Sequence, residues 1–272
     1  MPTFEPEPGV TIRYDALGAG RPAVLVHGWS MSSRAFTWQA EALVQAGYRV
    51  LAPDLRGHGG SSAAPAHEVA DHARDLAALF AREGVAGAAL VGWSMGGQVA
   101  LEALPALEGR VGALALLSAT PRFAACEGWP HGLPEVTVRA LAAKLEHRPE
   151  KTLQRFFEGM FVPDELDDDA RARIGERVLA GAPPRDVAGA RAGLDALLHA
   201  DQRARLADVR APLLLVHGER DPICLPAASA WMHAEVPGSR LATLPGLGHA
   251  PQLSRPERVS ELLTGFFAEA LA

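Results

Sequence analysis

Ser94 lies in Gly92-Trp93-Ser94-Met95-Gly96, a G-x-S-x-G pattern. Small residues at both ends of such a pattern allow a sharp turn from strand to helix that lifts the serine hydroxyl above a sheet. A serine kept in an ordinary turn for local hydrogen bonding would give the same five letters. The surroundings favour chemistry: the apolar run 88–91 precedes the pattern as a strand would, and residues 97–104 follow it with the composition of a helix start. A serine hydroxyl attacks an acyl carbonyl only when a base removes its proton and an acid orients that base, so two more residues are required.

Sites built on such an elbow supply serine, acid and histidine in that chain order, the last two on loops at the carboxyl ends of later strands. The run 213–217 opens into Gly218-Glu219-Arg220-Asp221-Pro222, which offers Asp221, with Glu219 as a competing acid nearer the strand. The run 241–244 opens into Pro245-Gly246-Leu247-Gly248-His249-Ala250-Pro251. Of the 10 histidines, only His249 lies beyond the acid on a Gly/Pro-rich loop; His27, His58 and His217 precede it and are expected to be structural or to line the site. The expectation is a catalytic triad of Ser94, Asp221 and His249 that forms an acyl-enzyme and hydrolyses it with water. The anionic intermediate needs preorganised donors. These are expected to be the backbone N–H groups of Met95 and of Trp29, in His27-Gly28-Trp29-Ser30. The Trp29 ring could wall the acyl site or fill the core. Nucleophile, base and donors complete this chemistry without a metal or organic cofactor, so none is expected.

These residues need a parallel sheet to hold them. Short β-rich runs at 11–14, 23–27, 48–52, 88–91, 113–118, 213–217 and 241–244 alternate with helix-like segments, and most are continuously apolar, as in strands covered on both faces. From 120 to 210 the pattern turns helical, at 136–145, 151–160 and 170–179. The predicted architecture is α/β: a mostly parallel sheet with helices on both faces, formed by residues 1–119 and 211–272, with an α-helical cap inserted at 120–210.

With 272 residues and 48% hydrophobic content the chain can bury one large core, and its net charge of −6 gives no basic footprint for nucleic acid. Residues 1–8 carry neither a basic nor an apolar leader segment, and no later run reaches about 18 apolar residues. Cys126 and Cys224 match no metal or redox spacing and read as reduced thiols. A cytoplasmic protein with no nucleic-acid or membrane partner is expected.

The His27-Gly28-Trp29 loop, Asp54-Leu55-Arg56-Gly57-His58-Gly59, the elbow through Gly97, and Gly248-His249 together resemble the α/β-hydrolases. A narrower resemblance is to the BioH family of pimeloyl-[acyl-carrier protein] methyl ester esterases. It is carried by tryptophan in both the Trp29 loop and the elbow, by Ser118-Ala119-Thr120-Pro121-Arg122-Phe123 with Glu127-Gly128-Trp129-Pro130, by Lys151-Thr152-Leu153-Gln154-Arg155-Phe156, and by Gly248-His249-Ala250-Pro251. That resemblance implies removal of a methyl ester from a pimeloyl chain on acyl carrier protein during biotin synthesis. It also implies an acyl channel lined by Phe156 and Met160 beside Trp29, and a carrier-facing surface carrying Lys151, Arg155, Arg171 and Arg173. Lys151 and Arg155, four apart, share a helix face, which could equally be an ordinary solvated one. Glu165 and Asp167-Asp168-Asp169 beside Arg171 and Arg173 oppose an acidic partner. A general short-chain carboxylesterase or perhydrolase acting on small-molecule esters would carry the same triad, and a non-catalytic module of the same fold would normally have lost part of it.

Overall fold

The computed structural model describes residues 1–64, 66–180 and 187–272. Among these residues an eight-stranded sheet runs in the order β1-β2-β4-β3-β5-β6-β7-β8. Its strands are β1 Thr3–Glu7, β2 Val10–Leu17, β3 Arg21–Val26, β4 Tyr48–Pro53, β5 Ala88–Trp93, β6 Val111–Leu117, β7 Leu213–Gly218 and β8 Arg240–Leu244. β2 pairs antiparallel with β1 and β4, and all later pairings are parallel. Every residue of β5 and β7 is buried, so their uninterrupted apolar composition follows from having a layer on each side.

β1 is absent from the sequence-based reading, which saw only a Pro-containing N-terminal segment. Proline is tolerated in an edge strand because its missing N–H can face away from the ladder, and Pro6 sits in just such a strand. Phe4 is buried there against the Tyr14 ring.

The helices that follow the central strands are α1 Thr37–Gln45, α2 Val69–Arg82 and α3 Met95–Ala103. α2 packs on α3, and α1 packs on the C-terminal helix, so the two layers cover the sheet. Residues 118–212 lie between the adjacent strands β6 and β7 and carry α4 Glu135–His147, α5 Pro149–Glu158, α6 Asp168–Ile174 and α7 Val187–His199. No strand occurs there among the described residues; two isolated bridges, Ala124 to Leu133 and Cys126 to Trp129, close a small loop. Residues 181–186 of the expected cap lie outside the described residues. α8 Pro226–Glu235, α9 Pro251–Ser254 and α10 Pro256–Ala270 complete the chain. No described helix is long and apolar enough to cross a membrane.

Candidate active site

β5 ends at Trp93 and α3 begins at Met95, leaving Ser94 alone at the junction with φ 55° and ψ −119°. An L-residue held there is strained by about 1–3 kcal/mol, and the packing around it has to enforce the bend. The two glycines of the pattern are the means. A Cβ on Gly92 would lie 2.5 Å from the Gly96 carbonyl oxygen, and one on Gly96 would lie 2.1 Å from that of Val26, so neither position admits a side chain. Trp93 is fully buried, and its Nε1–H donates to the His249 carbonyl at 3.0 Å, tying the elbow to the histidine loop.

Asp221 and His249 leave the carboxyl ends of β7 and β8 and meet at Ser94. Ser94 Oγ lies 3.0 Å from His249 Nε2, and His249 Nδ1 lies 2.8 Å from Asp221 Oδ2. Only glycine permits the two loops to approach: a Cβ on Gly218 would sit 1.9 Å from the Gly248 carbonyl oxygen. Glu219, the competing acid, is exposed and accepts the Gly246 N–H at 2.9 Å, so it braces the loop rather than touching the histidine.

His217, expected to be structural or to line the site, has a definite partner in the structure. His217 Nε2 lies 3.1 Å from Asp221 Oδ2 and 2.8 Å from the Cys224 carbonyl, two acceptors, so this nitrogen carries the proton. Its Nδ1 then accepts from the Ser229 hydroxyl at 2.6 Å. The other carboxylate oxygen, Asp221 Oδ1, accepts the N–H groups of Ile223 and Cys224 at 2.8 and 3.0 Å. Burial alone would raise the Asp221 carboxyl, but the charges and hydrogen bonds of His249 and His217 outweigh it and hold it at about 2. Burial, reinforced by the Asp221 charge, pushes the Cys224 thiol well up against a smaller opposing effect of the Ser94 side chain, so it stays protonated. Both cysteines are free.

The loop after β3 approaches Ser94 from the other side. A Cβ on Gly28 would come within 3.1 Å of Ser94 Cβ, so the chain just before Trp29 passes against Ser94. Met95 is the first residue of α3, where an N–H has no acceptor within its own helix. The Asp54-to-Gly59 motif acts from beneath. His27 donates from Nδ1 to the Gly28 carbonyl at 2.8 Å and accepts the Leu55 N–H at Nε2 at 3.0 Å. Asp54 accepts the N–H groups of Ser33 and Gly60 at 2.7 and 2.8 Å. Arg56, 1% exposed, forms a bidentate pair with Asp75 of α2 at 2.7 Å.

His27, His58, His67 and His72 form a buried row under this loop, with successive ring centroids 5.4 Å (His27 to His58), 6.2 Å (His58 to His72) and 6.0 Å (His72 to His67) apart. Burial lowers the pKa of His27, of His58 to about 3, and of His72 well below the usual value, aided for the last two by repulsion from neighbouring histidines; Arg56 also faces His72, and Asp54 faces His27 and His58. Unfolding releases these rings to water, where they protonate near pH 6.5. The stabilisation is therefore complete above that pH and is lost as pH falls below it. His58 and His72, the two held lowest, should together cost about 3 kcal/mol between pH 8 and pH 5.5. Urea unfolding across that range checks this, and a flat profile refutes it. His72→Leu should remove about half of the loss, since neither ring nitrogen of His72 has a hydrogen-bond partner among the described residues.

Over the site stand α5 and α7. The Trp29 ring is buried, donates from Nε1 to the Ala190 carbonyl of α7 at 2.6 Å, and meets the Phe156 ring edge-on at 4.7 Å. Half-buried Phe156 forms one end of a groove of about 670 Å³ between α4 and α5, floored by Leu141 and Thr152 and edged by Lys144, His147, Arg148, Lys151 and Arg155, with no acidic residue in its lining. Lys144 and Arg148 were missed from sequence, where their position across the groove from Lys151 and Arg155 left no signal. Arg171 and Arg173 are not brought to this groove. They stand on α6, where Arg173 faces Glu257 of α10 at 3.6 Å.

The acidic stretch also has local tasks. Asp167 caps α6, accepting the Ala170 N–H at 2.7 Å, and Asp168 and Asp169 fill its first turn, where negative charge is favourable. Glu165 is 4% exposed and points inward, not toward a partner. Its Oε2 accepts the N–H groups of Val162 and Gly248, each at 2.9 Å. Met160, expected to line the acyl channel, is 1% exposed, and its carbonyl accepts the His249 N–H at 2.7 Å.

A serine elbow ending a central parallel strand, with aspartate and histidine on two later strand-end loops, defines an α/β hydrolase. The model of the alpha/beta hydrolase family matches residues 23–262. The chain is 35% identical over 249 residues to pimeloyl-[acyl-carrier protein] methyl ester esterase of Nitrosomonas europaea, covering 91% of this chain and 96% of that one. With the enzyme of the same name from Aromatoleum aromaticum it shares 36% over 250 residues, 88% and 95% of the two chains. Among solved structures it is similar to an esterase from Exiguobacterium antarcticum and to a bromoperoxidase from Bacillus anthracis, each with a TM-score of 0.87 at 28% identity over 95% of this chain and 96% of the other. The chain belongs to the BioH family of α/β hydrolases and is a carboxylic ester hydrolase.

Proposed function

We propose that Ser94, His249 and Asp221 are the catalytic triad, and that the chain removes the methyl ester from a pimeloyl chain borne by acyl carrier protein, a step of biotin synthesis. His249 Nε2 takes the Ser94 proton as Oγ attacks the ester carbonyl, and Asp221 stabilises the imidazolium. The N–H groups of Trp29 and Met95 receive the oxyanion. Collapse expels methanol, which leaves with the proton held by His249, and a water activated by the same ring then releases the carboxylate. On this reading residues 120–210 act as a cap and residues 1–119 with 211–272 as the hydrolase core. The reading places the enzyme in the cytoplasm, in keeping with two free thiols.

The observation that carries the substrate assignment is the groove between α4 and α5: it is lined by Leu141, Ala143 and Phe156 under a rim of cations, and the Phe156 ring meets that of Trp29, which follows the glycine packed against Ser94. An acidic carrier held at the rim could pass its acyl chain along that groove while remaining outside. The names of the relatives support the same substrate. Rim charges act chiefly on encounter. Lys151→Glu with Arg155→Glu should therefore lower kcat/KM for the carrier-bound methyl ester by at least about tenfold and flatten its salt dependence. Hydrolysis of p-nitrophenyl acetate should change less than twofold. Equal losses on both substrates, or none on either, would remove the carrier from this face and favour a general esterase.

A further inference from the structure

The segment between Met160 and Glu165 touches no substrate in the scheme above, yet it holds the loop that carries the base. Val162 to Glu165 forms a closed turn: the Glu165 N–H donates to the Val162 carbonyl at 3.1 Å, and the Val162 N–H donates back to Glu165 Oε2 at 2.9 Å. From this turn and the Met160 carbonyl just before it, three hydrogen bonds reach the histidine loop and its helix. Met160 O accepts the His249 N–H, Glu165 Oε2 accepts the Gly248 N–H, and the Glu165 carbonyl accepts from Arg255 Nη1 at 3.0 Å. The fit is tight enough that a Cβ on Gly248 would lie 2.4 Å from Met160 O and 3.0 Å from Glu165 Oε2. Glu165 Oε1 is buried without a hydrogen-bond partner among the described residues, so the carboxylate is committed to this turn and this loop.

We propose that Glu165 is a positioning residue for His249: from the 118–212 insertion, its buried side chain fixes the Gly248 N–H and thereby the reach of the imidazole toward Ser94. This rests on the triad reading given above. The consequence is that the insertion sets the geometry of proton transfer as well as the shape of the acyl site. A displacement of about 1 Å in a catalytic group can cost a hundredfold in rate.

The test is steady-state kinetics on p-nitrophenyl acetate, whose acetyl group is too short to enter the groove, together with p-nitrophenyl octanoate. Glu165→Ala should lower kcat on the acetate ester tenfold to a hundredfold with KM within twofold, and Glu165→Gln, which keeps a carbonyl acceptor, should restore kcat to within about threefold of wild type. If Glu165 only shapes the acyl site, Glu165→Ala will leave acetate kcat within twofold and raise KM on the octanoate ester; that result overturns the proposal. Should Glu165→Ala fail to fold, Gly248→Ala decides: it pushes the loop off the clamp and should lower acetate kcat at least tenfold, whereas a wild-type kcat overturns the proposal. Ser94→Ala is assayed alongside. Activity in that variant would sink the triad reading itself, whereas an inactive Ser94→Ala beside a fully active Glu165→Ala would sink only the positioning role.

Discussion

Ser94→Ala is expected to lower kcat on any ester by about 10⁵–10⁶-fold while leaving the fold intact. The change removes one half-exposed hydroxyl and its hydrogen bond to His249. It does not relieve or add backbone strain, because alanine at φ 55° meets the same steric objection as serine. The melting temperature should therefore move by no more than a few degrees. Whatever rate survives is that of the oxyanion donors acting without a nucleophile. Purified variant retaining more than a few per cent of the wild-type rate would show that Ser94 is not the attacking group.

Asp221→Asn should cost about 10³–10⁴ in kcat, and for a reason written into its hydrogen bonds. Oδ2 receives both His249 Nδ1–H and His217 Nε2–H, while Oδ1 receives the N–H groups of Ile223 and Cys224. Every contact is a donor aimed at an acceptor. An asparagine must set its own N–H₂ against one of the two pairs. Facing the histidines, it forces His249 toward the tautomer with Nε2 protonated, which cannot accept the Ser94 proton. Facing the backbone, it opposes two N–H groups that cannot move away, with a stability loss of about 1–3 kcal/mol. Glu219→Gln should stay within about tenfold of wild type, since among the described residues the Glu219 side chain is hydrogen-bonded only to the Gly246 N–H. Larger damage from Glu219→Gln than from Asp221→Asn would reassign the acid.

Chain order and composition are enough to read the central sheet and the convergence of Ser94, Asp221 and His249. Strands buried on both faces are continuous apolar runs, and the loops leaving them are marked by Gly and Pro. β1 escapes because an edge strand needs neither continuous apolarity nor freedom from proline. The roles of His217, Met160 and Glu165 escape for a different reason. Each depends on where a side chain or carbonyl points after residues far apart in sequence have packed, and nothing local distinguishes Glu165, which turns inward, from Asp167, which caps a helix. The basic groove is partly legible through the four-residue spacing of Lys151 and Arg155. Its other wall, Lys144 and Arg148, depends on how α4 lies against α5.

The adjacency of β6 and β7 bears on how such enzymes change over evolutionary time. Leu114 pairs with Leu213, and the Ser118 N–H donates to the Val216 carbonyl at 2.8 Å, so the intervening chain starts and finishes at neighbouring points of the sheet. Closing a flexible loop costs free energy only with the logarithm of its length, about 0.6 kcal/mol for each doubling. Lengthening, shortening or exchanging the segment therefore need not disturb the sheet, and a lineage can vary the residues between β6 and β7 while the sheet stays folded. A viable exchange carries one restriction: the incoming segment must again present a carbonyl to His249 and an acceptor to Gly248, the places now filled by Met160 and Glu165.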